Sequence, residues 1–324
     1  MFMSKSNSLL AAMSSMVVVA AAAVAVAGPV GAEQVDSARW YPISADVLCT
    51  GPLSGASEPP VLLVPGTGAN PDEDFGWNLE TTLPQAGFTA CAVTIPKRGW
   101  GDLQDNADVV AAAIRTLSSA AGQKIAVVGH SQGAMLPTFA LRVYPDLAES
   151  VDDFVGFAGS YTAGTTVADL PCALPCAAGV TQMRPGSELM KAMSARPLPA
   201  GPSYTAFSTD NDEAARPQPL SSRLDAPGVR NIRVQEYCPL LDAPHLTLPG
   251  TLVLMDLTID ALNHPGPAQP TRLTALRCGL DTDNVVAGAL GTLGLGFGST
   301  VDYPSVLVTE EPRLRCPYRL TGCA

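Results

Sequence analysis

The chain has 324 residues, with 19 Lys and Arg against 30 Asp and Glu, and its formal net charge is −11. An acidic chain of this kind lacks the electrostatic footprint of a nucleic-acid-binding protein, and its charge favours a neutral or cationic substrate. The length allows one large domain or two modest ones, and 29 Gly with 29 Pro predict many loops between regular elements.

The first 32 residues have the composition of a secretory signal peptide. Lys5 lies in a short polar start, residues 9–27 are almost wholly apolar, and small residues end the segment at Ala32, with Ala27 as an alternative cleavage point. A membrane anchor is the alternative, because the apolar run approaches spanning length. Small residues dominate that run and no positive cluster follows it. We therefore expect a secreted protein whose residues 33–324 form a single domain.

Apolar runs bounded by Gly and Pro predict strands, and apolar residues repeated every three or four positions predict helices. In chain order, the predicted elements are strands at 61–64 and 90–94, a helix at 105–120, a strand at 124–128, a helix at 134–144, strands at 153–158, 204–208 and 231–237, and a helix at 251–262. Strands that alternate with helices predict an α/β protein with a largely parallel sheet.

Two segments interrupt this alternation. Residues 162–199 lie between two predicted strands and carry Cys172 and Cys176, which predicts an insertion over the carboxyl edge of the sheet. Residues 284–297 are apolar and rich in Gly, and they fit either a buried C-terminal helix or an apolar flap beside an active site. For each segment an ordinary structural role is favoured over a functional one.

The most informative motif is Gly129-His130-Ser131-Gln132-Gly133, which follows a predicted strand and precedes a predicted helix. The G-x-S-x-G pattern predicts a nucleophilic serine only in this strand-to-helix setting. Its glycines allow a tight turn that exposes the Ser131 hydroxyl, and the free N–H groups of the following helix face the place where an oxyanion forms. We therefore predict Ser131 as a nucleophile.

A serine nucleophile needs a base, and an acid must orient that base. His245 follows a predicted strand and precedes a predicted helix, whereas His130 lies inside the serine turn and His264 follows the helix, so His245 is the predicted base. The acid must precede His245 and follow a strand. Asp210 and Asp212 both satisfy this requirement, and the residues alone do not choose between them.

Two segments supply candidate donors for an oxyanion hole. The backbone N–H of Gln132, the residue after the nucleophile, is the first candidate. Thr67, in the turn after the strand at 61–64, is the second, since it offers both its backbone N–H and its hydroxyl. The three histidines are too scattered for a zinc knuckle, and no nucleotide or flavin motif is visible, so we expect no metal and no cofactor.

Together these motifs resemble the family of Candida antarctica lipase B. The matching segments are residues 63–68, residues 131–133, Phe157-Ala158 with Tyr161, Asp212-Glu213 with Pro217-Gln218, and residues 238–240 ahead of His245. They occur in the family's order from about residue 49 to the C-terminus. The resemblance implies an α/β-hydrolase fold, with a mostly parallel sheet flanked by helices and a small cap region. It also implies Ser131 as nucleophile, Asp212 as acid, His245 as base, and Thr67 and Gln132 as oxyanion donors.

Eight cysteines in an exported chain predict disulfides, although the sequence alone leaves their pairing open. The resemblance implies the pairs Cys49–Cys91 and Cys238–Cys278, which leaves Cys172–Cys176 and Cys316–Cys323 as short local bridges.

The chain departs from the family at two positions. His130 replaces a tryptophan that shapes the alcohol pocket, and Ser160 replaces an acidic residue near the acyl pocket. The family's selectivity is therefore not carried over.

The sequence thus predicts a secreted serine lipase or esterase, monomeric by default, that cleaves neutral lipid esters or other esters, with a lipid–water interface as one setting. A cutinase-like polyesterase and an acyltransferase are sibling alternatives that the sequence does not separate. A non-catalytic binding protein on a hydrolase scaffold is the alternative from another class. The complete set of candidate triad and oxyanion residues argues against it.

Overall fold

The computed structural model describes residues 41–322, apart from residues 45, 54, 162, 170, 171, 173 and 282–298. All of the described residues belong to the unit Trp40–Ala324. The predicted signal peptide and the apolar segment at 284–297 lie outside the described residues, and so does Cys323. Among the helices that are described, none combines the length and the apolar composition needed to cross a bilayer.

The described strands are β1 (Tyr41–Pro42), β2 (Val47–Cys49), β3 (Val61–Val64), β4 (Ala90–Val93), β5 (Ile125–His130), β6 (Val151–Phe157), β7 (Cys176–Ala177), β8 (Ser203–Ser208), β9 (Arg230–Arg233) and β10 (Leu307–Val308). Eight of them form a sheet at the centre of this unit, in the order β1-β2-β4-β3-β5-β6-β8-β9. β1 and β2 pair antiparallel, whereas every pairing from β4 across to β9 is parallel. β7 and β10 form a separate antiparallel pair.

Helices cover both faces of the sheet. They are α1 (Pro71–Phe75), α2 (Leu79–Gln85), α3 (Leu103–Ala121), α4 (Gln132–Val143), α5 (Ala178–Met183), α6 (Glu188–Ser194) and α7 (Leu252–Asn263). Successive side chains of a strand point to opposite faces, so Leu62 joins the core beneath α3 and α4, while its neighbour Leu63 joins the core beneath α2 and α7. A central strand buried on both faces is apolar throughout, as β3 is.

The predicted strands and helices are present, with shifted ends. Helix α3 begins two residues earlier than predicted, because the Asp102 side chain caps it by accepting a hydrogen bond from the Gln104 N–H. It ends at Ala121, because the next residue, Gly122, adopts a left-handed conformation with φ 65°. The predicted strand at 231–237 is wrong beyond Arg233, since the chain turns there into a 3₁₀ helix at Val234–Glu236.

The insertion predicted at 162–199 contains β7, α5 and α6 within its described part. Cys172 and Cys176 form a disulfide at its start. Val180 and Met183, on α5, line the same cavity as Ser131. The insertion therefore forms a small cap beside the carboxyl edge of the sheet.

Two longer disulfides close loops of similar size. Cys49–Cys91 joins β2 to β4 with a sequence separation of 42, and Cys238–Cys278 has a separation of 40. In the chain-entropy model each such crosslink stabilises the folded state by about 4 kcal/mol. The fourth predicted pair includes Cys323, which lies outside the described residues.

Glu80, on α2, has a buried side-chain carboxyl group, and its burial makes the free energy of unfolding depend on pH. Burial, followed by the nearby charges of Asp72 and Asp74, raises the pKa of Glu80 to about 8. Between about pH 4.5 and this value the folded protein retains a proton that the unfolded chain releases. Stability therefore falls as the pH rises through this window.

We expect Glu80→Gln to raise the free energy of unfolding at pH 7 by on the order of 2 kcal/mol, and to have little effect at pH 4. The neutral amide fits the same space and places no buried charge beside Asp72 and Asp74. Urea unfolding between pH 4 and pH 9 measures the difference, with Glu149→Gln, at an exposed carboxylate, as the matched control. A Glu80→Gln protein no more stable than wild type at pH 7 contradicts the buried protonated acid.

Candidate active site

Ser131 occupies a strained turn between β5 and α4. Its backbone has φ 55° and ψ −123°, a conformation that residues other than Gly rarely adopt. The flanking glycines are required by packing, because a Cβ on Gly129 would lie 2.0 Å from the Gly133 carbonyl oxygen, and one on Gly133 would lie 1.9 Å from the Val64 carbonyl oxygen. The turn therefore holds the Ser131 hydroxyl at the carboxyl end of the sheet.

A continuous hydrogen-bonded chain joins Ser131, His245 and Asp212. His245 Nε2 lies 2.8 Å from Ser131 Oγ, and His245 Nδ1 lies 3.0 Å from each carboxylate oxygen of Asp212. The Asp212 side chain is fully buried and that of His245 is 5% exposed. Since an ionised carboxylate only accepts hydrogen bonds, Nδ1 carries the proton and the Nε2 lone pair faces the serine hydroxyl. The serine proton thus has an acceptor within transfer distance.

The structure brings Asp212, and not Asp210, to His245. Asp212 follows β8, and its Oδ1 accepts hydrogen bonds from the backbone N–H groups of Ala214 at 2.9 Å and Ala215 at 2.6 Å. The Asp210 side chain is 46% exposed and pairs with Arg233 at 2.8 Å. The two carboxylates that the residues alone left open thus occupy different environments.

His245 is held through its main chain as well as its ring. Its backbone N–H donates to Glu213 Oε2 at 2.8 Å. Its competitor His264 caps the end of α7, where Nδ1 lies 2.9 Å from the Asp260 carbonyl oxygen and the side chain is 47% exposed. His245 is therefore the histidine whose ring contacts Ser131.

The two predicted oxyanion donors lie beside each other. Gln132 is the first residue of α4, so its backbone N–H has no partner within that helix. Its side-chain Nε2 donates to Thr67 Oγ1 at 2.9 Å and to the Gly99 carbonyl oxygen at 3.1 Å. Because Thr67 Oγ1 accepts this bond, the hydroxyl proton of Thr67 remains available to a further acceptor. Thr67 lines the same cavity as Ser131 and His245.

Contacts that the sequence did not predict hold the Thr67 loop in place. The Gly66 N–H donates to Asp74 Oδ2 at 2.7 Å, and the Gly68 N–H donates to the Arg98 carbonyl oxygen at 2.7 Å. The Arg98 guanidinium in turn donates to the Gly68 carbonyl oxygen at 3.3 Å. No local pattern distinguishes Asp74 from the neighbouring acids Asp72 and Glu73, so sequence reasoning had no signal for its contact.

A cavity of about 300 Å³ opens at Ser131. Much of its wall is made of apolar side chains, namely Ala69, Trp100, Val167, Ala168, Val180, Met183, Ala214, Ala215 and Leu246. Ser160 also lines the cavity, and its Oγ lies 3.2 Å from Ser221 Oγ. An apolar pocket with a few converging polar groups is the usual form of a small-molecule site.

Comparisons with known proteins identify the family and the fold of this chain. A model described as "Alpha/beta hydrolase family" matches residues 61–293. Lipase B of Pseudozyma antarctica is 29% identical over 223 residues, which cover 67% of this chain and 65% of that protein, just under two thirds of its length. The crystal structure of Aspergillus fumigatus lipase B superposes with a TM-score of 0.72 at 24% identity, covering 82% of this chain and 68% of that one. The fold class predicted from the sequence is confirmed.

Proposed function

Because the chain belongs to the alpha/beta hydrolase family, we propose that it is a secreted serine hydrolase that cleaves carboxylic esters, as a lipase or an esterase. The observation that carries the proposal is the chain of hydrogen bonds from Ser131 through His245 to Asp212. The three described disulfides support secretion, since such bonds persist mainly in oxidising compartments.

The reaction proceeds through an acyl-enzyme. Ser131 Oγ attacks the ester carbonyl carbon while His245 Nε2 takes the hydroxyl proton, and Asp212 stabilises the resulting imidazolium. The Gln132 N–H and the Thr67 hydroxyl stabilise the negative oxygen of the tetrahedral intermediate. His245 then returns the proton to the leaving alkoxide as the ester C–O bond breaks. Water repeats these steps on the acyl-enzyme, and the carboxylic acid leaves with Ser131 restored.

The cavity indicates the class of substrate. Its apolar wall fits an uncharged acyl chain, and the net charge of −11 disfavours an anionic substrate. We propose neutral lipid esters or related esters, acted on by a monomer. The departures at His130 and Ser160 mean that preferences for particular acyl or alcohol groups do not follow from the family.

The proposal is tested by hydrolysis of p-nitrophenyl esters from acetate to palmitate, with labelling by a serine-directed fluorophosphonate probe. Hydrolysis that extends to long chains, together with labelling at Ser131, supports a lipase. Activity confined to short chains indicates an esterase or a polyesterase. A protein that neither hydrolyses any ester nor takes the label contradicts the proposal and favours a binding protein on a hydrolase scaffold.

The oxyanion role of Thr67 gives a separate prediction. We expect Thr67→Val, which removes the hydroxyl but keeps the shape and the backbone N–H, to lower kcat by about 10²–10³-fold. Thr67→Ser retains the hydroxyl and is the matched control, with a kcat close to that of wild type. The measurement is kcat for p-nitrophenyl butyrate. Equal kcat values for the two variants contradict the role of the hydroxyl.

A further inference from the structure

His130, the residue before the nucleophile, is buried and uses both of its ring nitrogens. The side chain is 3% exposed. Its Nδ1 lies 2.8 Å from Asp74 Oδ1, and its Nε2 lies 3.1 Å from the main-chain carbonyl oxygen of His245. The second carboxylate oxygen of Asp74 accepts a hydrogen bond from the Gly66 N–H at 2.7 Å. One buried pair of side chains thus contacts both the loop that carries His245 and the loop that carries Thr67.

Both partners of the His130 ring are acceptors. A main-chain carbonyl cannot donate, and neither can an ionised carboxylate, so the geometry is satisfied only when both ring nitrogens carry a proton. A neutral ring would leave one nitrogen lone pair facing an acceptor in a buried site, which is costly. The contacts therefore favour a buried imidazolium.

The surrounding charges agree with that protonation state. Burial by itself lowers the pKa of His130, but the charge and hydrogen bond of Asp74, and then the more distant charge of Asp212, outweigh burial and raise the pKa. The groups that face the His130 ring are Asp74 next to it, Asp212 from the loop after β8, and the His245 ring, with its centroid 4.9 Å away.

We propose that Asp74 and His130 form a buried ion pair that positions the two halves of the proposed catalytic machinery. Asp74 fixes the Gly66 N–H at the start of the oxyanion loop, and His130 fixes the main chain of His245. Both residues border the cavity at Ser131, but their hydrogen bonds go to each other, to the Gly66 N–H and to the His245 carbonyl oxygen, and not to Ser131 Oγ. We therefore assign both as positioning residues. The inference rests on the proposed ester hydrolysis, because that reaction requires the His245 loop and the Thr67 loop to be held in a fixed relative position.

The ion pair also sets the charge beside His245. The positive ring of His130 faces His245, and the negative charge of Asp74 compensates it. A neutral residue at position 130 leaves the Asp74 carboxylate uncompensated, and a buried negative charge near His245 favours the protonated, inactive base. We therefore expect neutral variants at position 130 to move the acid limb of the kcat/KM profile to higher pH.

The protonation state is tested without reference to activity. The chain has three histidines, so a protein labelled with ¹⁵N-histidine gives three ring systems, and His264→Gln identifies one of them by its loss. We expect one remaining ring to carry protons on both nitrogens at pH 7–8. If both remaining rings show an unprotonated nitrogen at this pH, the proposed ion pair between Asp74 and His130 is wrong.

The positioning role is tested with two matched variants. The Asn amide of His130→Asn replaces the Nδ1 donor to Asp74, whereas the Gln amide of His130→Gln replaces the Nε2 donor to the His245 carbonyl. We expect His130→Asn to lower kcat by about 10–100-fold with KM changed by no more than about twofold, and His130→Gln to retain kcat within about fivefold. His264→Gln, at a surface histidine, is the control.

Three outcomes decide the inference. A higher kcat for His130→Gln than for His130→Asn, with the acid limb raised in both, supports it. A His130→Asn protein with the wild-type kcat and an unchanged pH profile overturns it. An equal loss of kcat in both variants, fully explained by a lower melting temperature, also overturns it. A wild-type protein that hydrolyses no ester contradicts the proposed function instead, and the NMR result still decides the ion pair.

Discussion

We expect Ser131→Ala to lower kcat for p-nitrophenyl butyrate by about 10⁶-fold, because a triad acts as a unit and loses most of its effect with any essential member. The His245 Nε2 lone pair, 2.8 Å from Ser131 Oγ, then has no hydroxyl proton to accept. The substitution leaves the turn intact, since alanine has the same Cβ and experiences the same strain at φ 55°. The activity that remains reflects substrate binding and the oxyanion donors alone.

Ser160→Ala is the matched control for this prediction. Ser160 lines the same cavity, but its hydroxyl contacts Ser221 Oγ. We expect this variant to keep most of the wild-type kcat, because removal of a hydroxyl that takes no part in the reaction leaves the nucleophile in place. Equal losses in the two variants, or a Ser131→Ala protein that still hydrolyses the ester, would show that Ser131 is not the nucleophile.

The central strands could be predicted because both of their faces are buried. β3 and β5 are apolar at nearly every position, and short apolar runs bounded by turn residues are typical of such strands. β2 could not be predicted in the same way, since it has three residues and exposes Leu48 on one side. Helices α1 and α2 were also missed, because segments of five and seven residues are too short to show a helical repeat.

Local motifs pointed to the candidate site residues whose predicted roles depend on neighbouring residues in the chain. Ser131 and Gln132 share one turn, and His245 stands out by its place between a strand and a helix. The Asp74–His130 contact joins residues 56 positions apart, so only the fold brings them together. The sequence suggested His130 as an unsuitable base and as an altered pocket residue, and neither description predicts a bond to Asp74.

The assignment of Asp212, rather than Asp210, as the triad acid predicts a large effect of substitution on kcat. We expect Asp212→Asn to lower kcat by about 10⁴-fold. The Ala214 and Ala215 N–H groups both donate to Oδ1, so the amide oxygen of Asn takes that position and its NH₂ group faces His245 Nδ1. An NH₂ donor in the Oδ2 position, 3.0 Å from Nδ1, favours the tautomer in which that nitrogen accepts a hydrogen bond and the ring proton lies on Nε2. The base then presents a proton, rather than a lone pair, to Ser131.

Asp210→Asn makes the same chemical change two residues away. Its side chain is 46% exposed and pairs with Arg233, and such surface pairs contribute about 0–1 kcal/mol. We expect kcat to stay close to that of wild type, with both variants folded as judged by circular dichroism. A large loss in Asp210→Asn with little change in Asp212→Asn would assign the acid to Asp210. The expected order follows from burial and hydrogen bonding, because only the buried carboxylate contacts the ring whose tautomer it must fix.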